Sequence, residues 1–263
     1  MKRRHLSKHA ARVVTWLGLA LITASLLVMI LTSPPASVPS AVNKTSGEFN
    51  LVVLDPGHGG DDSGAMTGGM VEKDLTLDVA QRVDRKLHEN GLSTMLTRSS
   101  DAYVSLAERA AISNRAESAI FVSIHFNDGA RPEASGVETY FAERQAAPGL
   151  KLATWFPFLR TTPSAPRRQS QSLAAFIQQE VVKETQAPDR GTKAEQFFVL
   201  ANTKHAAALV EGGFLTNKDD AQKLGSADYR EHLAGAIAKG IVDYRETLKH
   251  EALPLADAAP ALE

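Results

Sequence analysis

The hydrophobic positions between residues 50 and 248 follow two different periods. Short apolar runs at 51–54 and 119–124, each bounded by turn residues, are typical of buried strands. In the segment 73–90 apolar side chains recur at every fourth position before Gly91, and this spacing indicates an amphipathic helix. By the same rules we predict further strands at 92–97, 136–141, 196–200 and 206–210, and further helices at 105–117, at 169–185 and from about 217 and 228.

The alternation of strands and helices with short connections predicts one α/β domain. We expect a largely parallel, twisted sheet that is covered by helices on both faces. In such sheets ligands bind beyond the carboxyl ends of the strands. A proline-rich insertion at 142–168, whose role the sequence does not assign, interrupts the pattern.

The two ends of the chain differ from this central part. The first twelve residues carry five basic side chains and no acidic one, and 13–31 contain no charge. This pattern predicts that residues 1–31 form a signal or membrane-anchor segment that exports the rest of the chain, with cleavage left open. Residues 32–49 have the composition of a linker, and we expect the tail at 249–263 to be disordered.

The amino-acid composition excludes several classes of functional site. The 263 residues carry a formal net charge of −1 and include no cysteine. A near-neutral chain is not typical of nucleic-acid-binding proteins. The absence of cysteine excludes disulfides, thiolate metal sites and cysteine nucleophiles, so any metal ligands must be His, Asp or Glu.

Four residues that carry such chemistry lie at or near predicted strand ends: His58, Glu72, His125 and Glu211. Two imidazoles and a carboxylate are a common ligand set for catalytic zinc, and a further carboxylate can act as the base. Each residue alone also fits a structural role, and the glycines around His58 also fit a phosphate-binding loop. Spacing alone does not assemble the four into one site.

A set of motifs, in a fixed order along the chain, carries a family resemblance. They are Leu54-Asp55-Pro56-Gly57-His58-Gly59-Gly60, Glu72-Lys73-Asp74-Leu75, Thr97-Arg98, Arg109, Ser123-Ile124-His125-Phe126-Asn127, Gly136-Val137-Glu138-Thr139-Tyr140, Asp189-Arg190-Gly191 and Val210-Glu211-Gly212-Gly213-Phe214. The sequence resembles the zinc-dependent N-acetylmuramoyl-L-alanine amidases of bacterial cell-wall turnover.

This resemblance implies a six-stranded sheet and one Zn²⁺ per chain. It assigns the zinc ligands to His58, Glu72 and His125 and the catalytic carboxylate to Glu211. The implied substrate is peptidoglycan or its muropeptide fragments, and the implied location is the bacterial cell envelope or periplasm. An activator protein is a further candidate partner, and a monomer is the default assembly.

Other residues are harder to assign from the sequence. Asn127 is a candidate to orient His125 or to cap a turn, and Arg98 is a second candidate supporting residue. For Arg98 and Arg109 we expect pairing with carboxylates such as Asp101 or Glu108. Two other functions stay open: an inactive peptidoglycan-binding module, and a zinc peptidase that cuts within the stem peptide.

Overall fold

The computed structural model describes residues 49–143 and 166–252, which all lie within one unit, Gly47–Glu263. The strands in this part of the chain are β1 (Leu51–Pro56), β2 (Met66–Thr67), β3 (Met70–Val71), β4 (Ser93–Leu96), β5 (Ala119–Asn127), β6 (Val137–Phe141), β7 (Asp189–Ala194) and β8 (Ala206–Phe214). The helices are α1 (Glu72–Glu89), α2 (Leu106–Arg115), α3 (Pro166–Thr185), α4 (Phe198–Ala201), α5 (Lys218–Gly225) and α6 (Ala227–Ala252).

Six of the strands form one sheet in the order β4-β1-β5-β8-β6-β7. The first four of these are parallel to one another. β6 runs antiparallel to β8, and β7 runs parallel to β6. The predicted six-stranded, largely parallel sheet is therefore confirmed, with two strands reversed at one side.

Both faces of the sheet are covered, as the sequence predicts. Val52 and Leu54 belong to a core cluster that includes side chains of α1, α3 and α6. Val53 and Phe121 belong to a second cluster with residues of α2 and α4. Because successive side chains of a strand point to opposite faces, one short apolar strand supplies both cores.

The segment after α3 differs from the sequence analysis in two ways. The predicted strand at 196–200 is wrong, because the chain forms the short helix α4 there, with Phe197 and Phe198 40% and 46% exposed and Val199 to Ala201 buried. The strand β7 was not predicted. It lies at the edge of the sheet, and its polar sequence DRGTKA has no apolar side to signal a strand.

A small hairpin places the start of α1. Strands β2 and β3 are joined by Gly68 and Gly69, both at positive φ (52° and 84°), which suits a two-residue hairpin turn. The hairpin returns the chain so that the amide of Glu72 donates to the carbonyl of Ala65 at 2.9 Å. Glu72 therefore begins α1 at the carboxyl edge of the sheet.

A buried ion pair fixes the loop that follows β1. Arg109 of α2 lies 2.7 Å from Asp55, and the two residues are 3% and 1% exposed. The same guanidinium donates to the carbonyls of Pro56 and His58, both at 2.6 Å. The backbone path at His58 is therefore fixed by hydrogen bonds from the buried Arg109.

Several sequence predictions lie outside the described residues. These are the signal or anchor segment at 1–31, nearly all of the linker at 32–49 and most of the insertion at 142–168. Across 49–143 and 166–252, none of the helices has the length and apolar character needed to cross a bilayer. At the other end, α6 continues to Ala252, past the predicted domain boundary at 248.

We predict that Arg109→Met destabilises the fold by about 3–5 kcal/mol, because it leaves the buried Asp55 carboxylate without its cation. Urea unfolding followed by circular dichroism measures this loss. The matched control is Arg85→Met, which removes an exposed arginine of α1 and should change stability by less than about 0.5 kcal/mol. Equal stability of the two variants would contradict the prediction.

Candidate metal centre and active site

Three side chains from separate elements converge at the carboxyl edge of the sheet. His58 follows β1, Glu72 begins α1, and His125 lies near the end of β5. Oε1 of Glu72 lies 3.0 Å from Nε2 of His58 and 3.1 Å from Nδ1 of His125. One ligand atom from each residue lies within 4.8 Å of the others, so the three could hold one metal ion.

The carboxylate of Glu72, which contacts both histidines, is buried and held in its ionised form. Glu72 is 4% exposed, and its oxygens also accept hydrogen bonds from the amides of Ala65 (2.9 Å) and Phe126 (3.1 Å). Although burial alone would raise it, hydrogen bonds from His125 and His58 hold the pKa of Glu72 well below its usual value. The carboxylate is therefore ionised at neutral pH, as a metal ligand must be.

The donor set fits a zinc ion. Two imidazole nitrogens and one carboxylate oxygen are borderline and hard ligands of the kind that zinc accepts when no thiolate is present. Nδ1 of His58 also lies 2.8 Å from Oδ1 of Asp62, which orients the ring with Nε2 toward Glu72. Sequence reasoning missed Asp62, although a carboxylate four residues after a histidine is the available signal.

Close backbone packing makes room for His125. A Cβ atom at Gly57 would lie 2.3 Å from Cε1 and 2.5 Å from Nε2 of the His125 ring. The next residue, His58, has a positive φ of 58°, which is rare for a residue with a side chain. The loop is thus held in a demanding conformation that brings the two imidazoles to a centroid separation of 4.9 Å.

Arg98 helps to hold this loop. It donates to four carbonyls and one hydroxyl, which are those of Pro56 (3.0 Å), Ser100 (3.1 Å), Gly57 (2.7 Å), Lys73 (2.8 Å) and Thr76 Oγ1 (3.0 Å). The expectation of a carboxylate partner is confirmed for Arg109, although the partner is neither Asp101 nor Glu108, and it is wrong for Arg98. Arg98 satisfies backbone carbonyls, Arg109 pairs with Asp55, and Asp101 accepts from Lys73 at 2.7 Å.

Glu211 lies beside the three candidate metal ligands. In the parallel pairing of β5 with β8, its Cα is the partner of His125, so both side chains share one face of the sheet. Oε2 of Glu211 is shielded from solvent and has no hydrogen-bond partner among the described residues. Burial and the nearby charges of Glu72 and Glu138 raise its pKa well above the usual value. Such a carboxyl is suited to accept and return a proton.

A second carboxylate, Glu138, lies directly across from Glu211 on β6. Unlike Oε2 of Glu211, it is surrounded by hydrogen-bond donors. It is 2% exposed and accepts hydrogen bonds from four side chains, namely Asn127 (2.9 Å), Tyr140 (2.6 Å), Arg190 (2.7 Å) and Lys193. Although burial alone would raise it, hydrogen bonds led by those from Lys193 and Tyr140 lower the pKa of Glu138 to about 2. Glu138 is therefore ionised at neutral pH.

Two further polar side chains, the candidate Asn127 and His205, contact groups outside the metal-ligand triad. Asn127 donates to Glu138 at 2.9 Å, so its amide lies beside the second carboxylate. His205, which precedes β8 at the opposite end from Glu211, has its Nε2 3.2 Å from the carbonyl of Ala116. Sequence reasoning gave Glu138 no role; the available signal is a single charged residue within the short strand VETYF.

Comparison with known proteins gives a consistent result. A family profile described as N-acetylmuramoyl-L-alanine amidase matches residues 52–243. The chain is 38% identical to the uncharacterized protein YqiI of Bacillus subtilis, over 75% of this chain and 85% of that protein. It is 30% identical to N-acetylmuramoyl-L-alanine amidase AmiA of Escherichia coli, with 82% of each covered. The solved N-acetylmuramoyl-L-alanine amidase of Clostridium difficile 630 matches with a TM-score of 0.65 at 30% identity, over 77% of this chain and 99% of that one.

We predict that Gly57→Ala weakens zinc binding by about 10- to 100-fold, because the added Cβ displaces the imidazole of His125. Calorimetric titration of the metal-free protein with Zn²⁺ measures the change. The control is Gly235→Ala on α6, where the nearest atom to the added Cβ is 3.5 Å away. Unchanged zinc affinity in Gly57→Ala would show that this contact does not set the ligand geometry.

We predict that Glu138→Gln lowers stability at pH 7 by roughly 3 kcal/mol, the value of a pKa lowered from 4.5 to about 2. Since the folded-state pKa lies below the unfolded one, this contribution is complete above about pH 4.5 and is lost as the pH falls toward 2. The stability gap between wild type and variant should close over that range in urea unfolding. The exposed Glu89→Gln should show no gap at any pH, and a Glu138→Gln gap independent of pH would refute the assignment.

Proposed function

We propose that this chain, which belongs to the N-acetylmuramoyl-L-alanine amidase family, hydrolyses the amide between N-acetylmuramic acid and the L-alanine of the peptidoglycan stem peptide. The observation that carries the proposal is the meeting of a possible metal-ligand triad with a shielded carboxyl group on the adjacent strand. A zinc-dependent amide hydrolase uses both parts, because water must be activated and the leaving amine must be protonated.

In this proposal His58, Glu72 and His125 hold one zinc ion. When bound, zinc lowers the pKa of water and polarises the carbonyl of the amide. The ionised Glu72 supplies the negative charge of the ligand set, and Asp62 fixes the ring of His58 through Nδ1. The sheet and α1 therefore hold three donor atoms in fixed positions around the place of the metal ion.

Glu211 is the proposed general base and acid. Its carboxylate takes a proton from the attacking water as the new C–O bond forms at the amide carbon. It then gives that proton to the nitrogen of L-alanine as the C–N bond breaks, so that the products are a muramic acid carboxyl group and a free stem peptide. A carboxyl group whose pKa is raised by burial suits both transfers near neutral pH.

The proposed place of action is the bacterial cell envelope, where the substrate lies. The basic start of the chain and the uncharged run at 13–31 support export, either as an anchor in the inner membrane or as a cleaved signal. Residues 32–49 would then link this segment to the catalytic domain at 50–248, and the tail at 249–263 would follow it. These boundaries stay predictions of the sequence.

The test uses the purified full-length protein, zinc and peptidoglycan, with released fragments identified by mass spectrometry. Intact stem peptides that begin with L-alanine are expected. Shorter peptides would indicate the peptidase instead, and no release would indicate an inactive binding module or a missing activator protein.

We predict that Glu211→Ala lowers turnover by about 10²- to 10⁴-fold while zinc remains bound, since it removes the proton carrier and no metal ligand. His125→Ala should lose both activity and zinc. Zinc content by atomic spectrometry, measured beside the fragment assay, separates the two effects. The control Glu117→Ala removes an exposed carboxylate and should behave as wild type; near-full turnover by Glu211→Ala would overturn the assignment of the base.

A further inference from the structure

One cation near the site has no part in the proposed reaction. Arg190 is the second residue of β7, and its side chain is 34% exposed. Its Nε donates to Oε2 of Glu138 at 2.7 Å, and its guanidinium carbon lies 4.8 Å from the centroid of the Phe214 ring. One edge and one face of the guanidinium are therefore held by the protein.

The outer edge of the same guanidinium is open. Within the described part of the chain, neither terminal nitrogen of Arg190 makes a hydrogen bond or an ion pair. Two parallel N–H groups on a fixed plane match the two oxygens of a carboxylate. Because Glu138 and Phe214 already restrict the side chain, binding an anion here costs little further conformational freedom.

The charge of the cluster also favours an anion. Glu138 is shared by two cations, Arg190 and Lys193, so the group keeps one net positive charge. The ammonium of Lys193 donates to Glu138 and lies 5.7 Å from the centroid of the Tyr140 ring. Arg190 is therefore the member whose donors remain available in a planar pair.

The position of Arg190 relates to the cleaved bond. Phe214, under the guanidinium, lies three residues after Glu211 on β8, across a shift in the strand register, and three residues span at most about 10 Å. Two residues of an extended peptide cover about 7 Å. A peptide whose first amide nitrogen lies at Glu211 can therefore place its second residue near Arg190.

We infer that Arg190 binds a carboxylate of the stem peptide on the leaving side of the cut amide, namely the free α-carboxylate of the acidic residue that follows L-alanine. This inference rests on the proposed function. It makes the chain selective for stem peptides that keep this carboxylate over those in which it is a carboxamide. Arg190 is then a specificity residue, which affects substrate binding more than the chemical step.

The experiment compares two muramoyl-tripeptides, both with an amidated C-terminus, that carry either a carboxylate or a carboxamide on the second residue. Binding is measured by calorimetry in a zinc-loaded Glu211→Gln background, in which the loss of the proposed base slows hydrolysis during the titration. With Arg190 present, the carboxylate form should bind about 10- to 100-fold more tightly. Arg190→Gln should abolish this preference, Arg190→Lys should restore part of it, and the control Arg85→Gln should keep it in full.

Two results would overturn the inference. One is equal binding of the two tripeptides when Arg190 is intact, which needs no variant to fold. The other is equal weakening of both tripeptides by Arg190→Gln, which would mean that Arg190 acts only through Glu138. Failure of the proposed function is a separate outcome, which the fragment assay reports. In that case the wild-type protein releases no stem peptide, whatever preference the binding experiment shows.

Discussion

The buried contact between Arg109 and Asp55 is the constraint on which the geometry of the site depends. Asp55 ends the apolar part of β1, and the arginine that neutralises it also binds the carbonyls on both sides of Gly57. An unpaired carboxylate at this depth would be costly, so the pairing and the path of the loop are enforced together. The positive φ of His58 and the contact of Gly57 with the His125 ring both follow from this path.

Two carboxylates on paired strands, Glu211 and Glu138, illustrate how environment separates the roles of identical groups. Glu138 accepts from four donors and stays ionised, whereas Oε2 of Glu211 has no partner among the described residues and its pKa is raised. The fixed charge of Glu138 is one cause of the raised pKa of Glu211. Groups whose pKa values are pushed apart in this way are suited to different tasks. In the proposed mechanism Glu138 orients its neighbours and Glu211 transfers a proton.

The sequence predicts much of this arrangement where hydrophobic pattern decides the structure. The α/β class, the sheet and the helices on both faces follow from buried strands such as 119–124 and from the period of α1. The structure brings His58, Glu72 and His125 together, while their role as zinc ligands stays a prediction. Pattern could not place β7 or the partners of Arg98, because the sequence DRGTKA of β7 has no apolar side and a buried arginine can bind carbonyls from any element.

The reversal of β6 and β7 explains why Glu138 and Arg190 lie close to the site. In parallel strands only the last residues reach the carboxyl edge of the sheet, but an antiparallel strand brings its first residues there. Glu138 and Arg190 are each the second residue of their strand, so both lie beside the end of β8. Were the five residues of β6 reversed in place, Glu138 would move by two positions, about 7 Å along the strand, away from its pairing with Glu211. The polar composition that hid β7 from pattern analysis is therefore the same feature that supplies the cations of the site.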